Sequence, residues 1–163
     1  MGKWKGKTYY LLKKYEQAIE QYQYANKLAT RSFIYSHIAE CEIALQRYEE
    51  AASNIINALK EEHFEDLATD LLADANEELS AELMPRINVQ INANPNSLEW
   101  CMYQLYLYRT NKNYEQAIKC TEKIKELDAD PYLDAVLSTL YYNMGDFESA
   151  LHYAHVAYAL DTT

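Results

Sequence analysis

Residues 13–29 read "KKYEQAIEQYQYANKLA", and five of these letters, "YEQAI", return at Tyr114–Ile118. The two copies begin at Tyr15 and Tyr114, 99 residues apart, which is three times 33. The same frame places an aromatic at Tyr48, in "RYEEAA", and at Phe147, in "GDFESA"; only the slot at Ala81 lacks one. Three residues after each aromatic comes an alanine: Ala18, Ala51, Ala117 and Ala150. Seven after it come Tyr22, Ile55, Thr121 and Ala154, and ten after it Ala25, Ala58, Ile124 and Ala157. Offsets of 0, 3, 7 and 10 share one face of an α-helix. Alanine at the third offset lets a second backbone approach closely, so these four aromatics and four alanines read as repeat-packing residues. A second apolar pattern precedes each aromatic, for example Tyr35, Ile38, Ala39 and Ile43 before Tyr48. Short polar breaks, "LKK", "LQR", "NKN" and "NMGD", separate the two patterns. Each unit is helix, tight turn, helix. Such a pair cannot bury its own apolar face, so copies must stack.

This spacing, with "GDFESALHYAHVAYALD" and "YEQAIEQYQYANKL" as its most specific letters, resembles the tetratricopeptide repeat (TPR) family. The resemblance implies an all-α, right-handed superhelix, an α-solenoid of about five antiparallel helix pairs. The chain then reads as a single array over 1–163, with repeats at 1–31 (first helix truncated), 32–63, 64–97, 98–130 and 131–163. The family's leading tryptophan is missing from its slot, where Tyr35, Cys101 and Asp134 stand. Residues 64–97 read as a degenerate hairpin, with a linker between two pairs of repeats as the alternative: Ala81 replaces the aromatic, Met84 the small residue and Asn88 the apolar one. Pro85 is expected in the first turn of that hairpin's second helix, where its missing N–H costs nothing, and "NANPNS" at 92–97 closes the unit.

Composition narrows the function. Formal charge is −10 and unevenly spread: residues 1–31 carry +5, while residues 61–85 hold nine acids and no Lys or Arg. That balance argues against nucleic-acid binding. No apolar run reaches the roughly 18 residues of a membrane span, and the basic start lacks the apolar core of a signal peptide. Cys41, Cys101 and Cys120 form no C-x-x-C pair and sit among apolar residues, so buried reduced thiols and a cytoplasmic location are expected. No catalytic or phosphate-binding motif occurs, and His152 and His155 have no third metal ligand in view. The expectation is a non-enzyme without cofactor or metal.

The family resemblance places the first helix of each pair along a concave groove. Its partner-binding candidates here are Tyr10, Phe33, His37, Glu40, Tyr103, Tyr106, Arg109 and Tyr142. An aromatic, weakly charged lining suits an extended peptide or an amphipathic helix of another protein. The charged clamp with which some TPR proteins hold chaperone tails is not completed: Lys3 and Lys7 are joined by His37, Glu65 and Thr69. A second resemblance covers residues 18–80, where "YQYA", "SFIYSHIAEC" and "EEAASNI" are similar to bacterial type III secretion chaperones for translocator proteins. It implies an acidic, cytoplasmic, chaperone-like protein that holds a client segment, although two further repeats follow here. Leu151, Ala154, Ala157, Tyr158 and Leu160 would lie on an uncovered flank, which raises the expectation of self-association through the C-terminal hairpin.

Overall fold

A computed structural model describes residues 2–161, with side chains described from Trp4 to Ala159. The described residues form ten α-helices and no strand. In chain order they are α1 (Gly2–Leu11), α2 (Tyr15–Leu28), α3 (Ser32–Ala44), α4 (Tyr48–Glu61), α5 (Asp66–Ala73), α6 (Glu77–Ala93), α7 (Leu98–Thr110), α8 (Tyr114–Leu127), α9 (Pro131–Met144) and α10 (Phe147–Asp161). They divide into two compact units, residues 1–89 and 90–163. In the first unit α1 packs on α2, α2 on α3, α3 on α4, and α5 on both α3 and α4. The second unit repeats the scheme, with α7 on α8, α8 on α9 and α9 on α10.

The hairpin turns set this arrangement. Lys13, Gln46, Lys112 and Gly145 all have left-handed backbone, with φ of 59°, 60°, 58° and 86°. Their positions keep the 33-residue frame. At each turn two amides fold back onto the first helix. Lys14, Arg47, Asn113 and Asp146 donate to the carbonyls of Tyr9, Glu42, Tyr108 and Tyr141 at 2.8–2.9 Å. Lys13, Gln46, Lys112 and Gly145 donate to Tyr10, Ile43, Arg109 and Tyr142 at 2.9–3.1 Å. This paired closure satisfies helix-end carbonyls that would otherwise be orphaned, and it normally uses glycine because a Cβ is strained there. Three of the four turns use lysine or glutamine instead. The turns between hairpins repeat as well, since Ala29, Glu62 and Asp128 each end a helix in extended conformation.

Packing follows from the small residue of each second helix. Ala18, Ala51, Ala117 and Ala150 are all buried. In the first unit Ala18, Ile19 and Tyr22 of α2 join Ile34, Ile38 and Cys41 of α3 in one apolar cluster. In the second, Ala117, Ile118 and Ile124 of α8 join Leu133, Leu137 and Leu140 of α9. Two polar ties fix neighbouring hairpins. Buried Ser36 of α3 donates to Glu65, whose carboxylate also caps α5 by accepting from the Ala68 N–H at 2.8 Å. Lys125 of α8 reaches the buried Asp134 of α9 at 2.6 Å, so the odd residue in the tryptophan slot is a paired carboxylate. All three cysteines are buried free thiols.

The third hairpin corrects the sequence reading. Its second helix starts at Glu77, four residues ahead of the Ala81 slot, and its first helix is only eight residues long. Four residues are close to one helical turn, so the displaced helix keeps its buried face. Ser80, three residues after Glu77, is the buried small residue, and Met84 is not in that role. Asn76 begins the helix: its Oδ1 accepts from the Leu79 N–H at 2.8 Å, and its Nδ2 donates to Tyr48 Oη at 3.0 Å. Pro85 therefore lies inside α6 rather than in its first turn. It is tolerated because Pro85 and Ala81, whose carbonyl loses its partner, are both exposed to water.

The turns can be tested by exchanging their residues. Lys112→Gly relieves left-handed strain at a small cost in unfolded-chain entropy, so it should stabilise the protein by about 0.5–1 kcal/mol. Gly145→Ala, where no atom lies within 4 Å of the added Cβ, should destabilise it by about 1 kcal/mol through backbone strain alone. Denaturant midpoints for both variants check the pair, and unchanged midpoints would contradict the turn assignment.

Candidate functional site

The first unit holds a cleft of about 160 Å³ lined by Trp4 and Lys7 of α1, Phe33 and His37 of α3, and Tyr22 of α2. It is built from a small residue upward. Gly6 faces the Tyr22 ring so closely that a Cβ on it would lie 2.7 Å from a ring carbon. That contact lets the large Tyr22 occupy a slot where the frame elsewhere places Ile55, Thr121 and Ala154. On its other side the Tyr22 ring stacks on the His37 imidazole, with centroids 5.2 Å apart and planes 12° from parallel. Phe33 meets His37 edge-on at 6.2 Å. One helical turn later Glu40 lies 3.6 Å from His37 Nδ1.

Tyr10 of α1 lies beside Glu40, next to the cleft lining. Burial raises its hydroxyl pKa, and Glu40 adds to the rise by its charge and by accepting a hydrogen bond from it. Its ring sits edge-on to Tyr15 at 5.7 Å. Beneath these groups burial pushes the Cys41 thiol up to about 12, so it stays protonated and unreactive at neutral pH. Burial likewise raises Tyr22, which serves as a neutral floor. The cleft is a small aromatic pocket with Lys7 at its rim. Its volume suits one ring or branched aliphatic side chain.

Four of the sequence candidates, Tyr10, Phe33, His37 and Glu40, thus come together in the first unit. The others scatter over the second. Tyr106 and Arg109 are half-buried on α7; burial raises the Tyr106 hydroxyl, Tyr132 adds to the rise and Arg109 opposes it. Tyr142 is exposed on α9 and rests edge-on against Phe147 at 5.3 Å. Two positions differ from the sequence reading. Tyr103 is 0% exposed and packs edge-on to Trp100 at 5.1 Å, so it is a core residue and no groove contact. Phe147 is 62% exposed, unlike the half-buried Tyr15, Tyr48 and Tyr114, because no helix among the described residues covers that side of α10. Lys3 and Leu160 lie outside the residues whose side chains are described.

The sequence reading also missed Tyr22 as the floor. The signal was the exchange of sizes, glycine at position 6 opposite tyrosine at position 22. A second cleft of about 570 Å³ lies in the other unit, lined by Asp130, Pro131, Tyr132, Ala135, Ala157 and Tyr158. Among the described residues no group of three or more His, Cys, Asp or Glu could hold a metal ion, and no helix is long and apolar enough to cross a membrane.

Comparison with known proteins agrees with this architecture. Residues 104–131, the second half of α7, its turn and α8, match the family model described as tetratricopeptide repeat. A solved structure of MamA, residues 41 to the end, from Desulfovibrio magneticus RS-1 is 15% identical, with a TM-score of 0.53 over 97% of this chain and 96% of that one. The thermophilic TPR protein TTC0263 of Thermus thermophilus is 16% identical, with a TM-score of 0.53 over 96% of this chain and 88% of that one. No curated protein matches the sequence. At such identities the structural likeness speaks for the fold. One tetratricopeptide repeat is thus matched at residues 104–131, and the stacked helix pairs share the α-solenoid fold of these solved structures.

Gly6→Ala tests how the cleft is built. The added methyl should push Tyr22 off His37 and cost about 1–3 kcal/mol, as overpacking does. Gly6→Ala combined with Tyr22→Leu should recover much of that loss, a non-additivity expected only for residues in contact. Thermal unfolding of the two variants and of Tyr22→Leu alone checks this; additive losses would contradict it.

Proposed function

We propose that this chain is a non-catalytic scaffold that holds a segment of a partner protein against α1 and α3, with one apolar side chain seated in the Trp4–Tyr22–Phe33–His37 cleft. The observation that carries this reading is the preformed pocket. Its floor is locked by the Gly6–Tyr22–His37 stack, so little ordering entropy is lost when a ligand enters. Trp4 is 68% exposed and Lys7 is exposed, so the rim is accessible. Aromatic walls supply area, while Lys7 and the excess basic charge of residues 1–31 favour an acidic residue beside the anchor. The groups around the cleft include no activated nucleophile: its thiol is protonated and its tyrosines are neutral. Three buried thiols suit a reducing, cytoplasmic setting.

Selection from a library of random peptides displayed on phage tests the reading. Enriched peptides should share an aromatic or branched anchor next to an acid. Phe33→Ala should weaken their binding about tenfold or more, as loss of an interface anchor does. Lys7→Glu should weaken it more at low salt than at high salt, and Tyr142→Ala should leave it unchanged. Failure to enrich any sequence, or binding indifferent to Phe33 and Lys7, would reject the proposal.

A further inference from the structure

The 33-residue frame assigns each helix position an equivalent in every other hairpin, and one set of equivalents behaves differently. On α2, α4 and α8 the positions four residues after the aromatic are Ile19, Ala52 and Ile118, and those seven after it are Tyr22, Ile55 and Thr121; all six are buried. The first helix of the following hairpin packs over α2, α4 and α8, as α3, α5 and α9 respectively. On α10 the same positions are Leu151, 60% exposed, and Ala154, also exposed. Phe147 and Tyr158 extend the stripe by one turn on each side, at 62% and 71% exposed. This is a continuous apolar face shaped to receive a first helix.

The covering stripe is equally regular. On α3 and its C-cap it is Ile34, Ile38, Cys41 and Leu45; on α9 it is Leu133, Leu137, Leu140 and Met144, each 99 residues further on. The equivalents 33 residues before Ile38, Cys41 and Leu45 are Lys5, Thr8 and, just past α1, Leu12. Lys5 and Thr8 are exposed, and Leu12 is 60% exposed. This stripe differs from the one that lines the cleft through Trp4 and Lys7. Charge matches it to α10: residues 1–31 carry +5, and residues 131–163 hold Asp146, Glu148 and Asp161 besides the Lys125-paired Asp134, with no Lys or Arg.

We propose that the exposed face of α10 receives α1 of a second copy of this chain, head to tail, in the way α3 covers α2. In that antiparallel register Leu12 lies on Phe147 and Leu151, and the Lys5 stem lies over Ala154 and Tyr158 with its ammonium near the tyrosine ring. Lys5 and Thr8 stand where α3 buries Ile38 and Cys41, so the contact is weaker than an internal one and sensitive to salt. The two surfaces are different, so the interface is heterologous and each copy keeps one free surface after the first contact.

Sedimentation equilibrium of the full chain tests the proposal. Average mass should rise with concentration beyond two copies at low ionic strength and fall back in about 0.5 M salt. Lys5→Glu should weaken association about tenfold at low salt. Leu12→Asp and Leu151→Asp change exposed side chains, so helix content by circular dichroism should hold while each variant alone stays monomeric. Mixed together, they should form a one-to-one complex and nothing larger, because only one competent pair of surfaces remains. Wild-type chain that stays monomeric at every concentration would overturn the proposal. So would dimerisation of Leu12→Asp alone, which would mean α10 pairing with α10.

Discussion

The fold depends on the second helix of a hairpin being covered on two sides, as α2, α4 and α8 are. Its own first helix lies against the alanine stripe, and the next hairpin's first helix lies against the stripe beginning four residues after the aromatic. Burying a side chain such as Ile55 or Leu59 is worth about 1.5–3 kcal/mol; both are fully buried on α4. A lone hairpin leaves the second of these stripes in water, as on α10. The close approach needed on the first side allows no side chain larger than a methyl at Ala18, Ala51 and Ala117, all 0% exposed. Where the pattern breaks, in the third hairpin, Ser80 supplies the small residue instead.

The candidate site is a by-product of the same constraint. In the first hairpin the small position of the first helix is Gly6, and the space released is filled by Tyr22. Tyr22 reaches through the α1–α2 contact to support His37, and His37 in turn sits beside Phe33 and Glu40. A packing adjustment between two helices thus becomes a pocket between α1 and α3. The second unit handles its equivalent region differently: buried Asp134 is held by Lys125, and buried Thr121 bonds back to the Ala117 carbonyl at 2.7 Å. The same repeat therefore carries different chemistry at equivalent positions.

The period was legible because identical burial demands recur at identical spacing; aromatic and alanine are visible in the letters without a structure. The turn conformation was not. Left-handed backbone usually announces itself by glycine, and here Lys13, Gln46 and Lys112 occupy those positions. The third hairpin was misread by four residues because its first helix is short by more than a turn, a change that preserves the buried face while moving every letter. For the site, Tyr10, Phe33, His37 and Glu40 were reached through the family resemblance, which says which face of the first helices lines the groove. Tyr103 could not be separated from them: it shares their polarity and spacing, and only packing against Trp100 distinguishes it.

Double coverage of the second helices is tested most directly by enlarging one small residue at a time. Ala117→Leu and Ala51→Leu put three extra carbons where another backbone lies, and each should cost about 1–3 kcal/mol or more in denaturant unfolding. Ala154→Leu, at the equivalent of a covered position but exposed on α10, should leave stability within about 0.5 kcal/mol of the parent. Equal effects at all three positions would contradict nested hairpins as the source of the fold's stability.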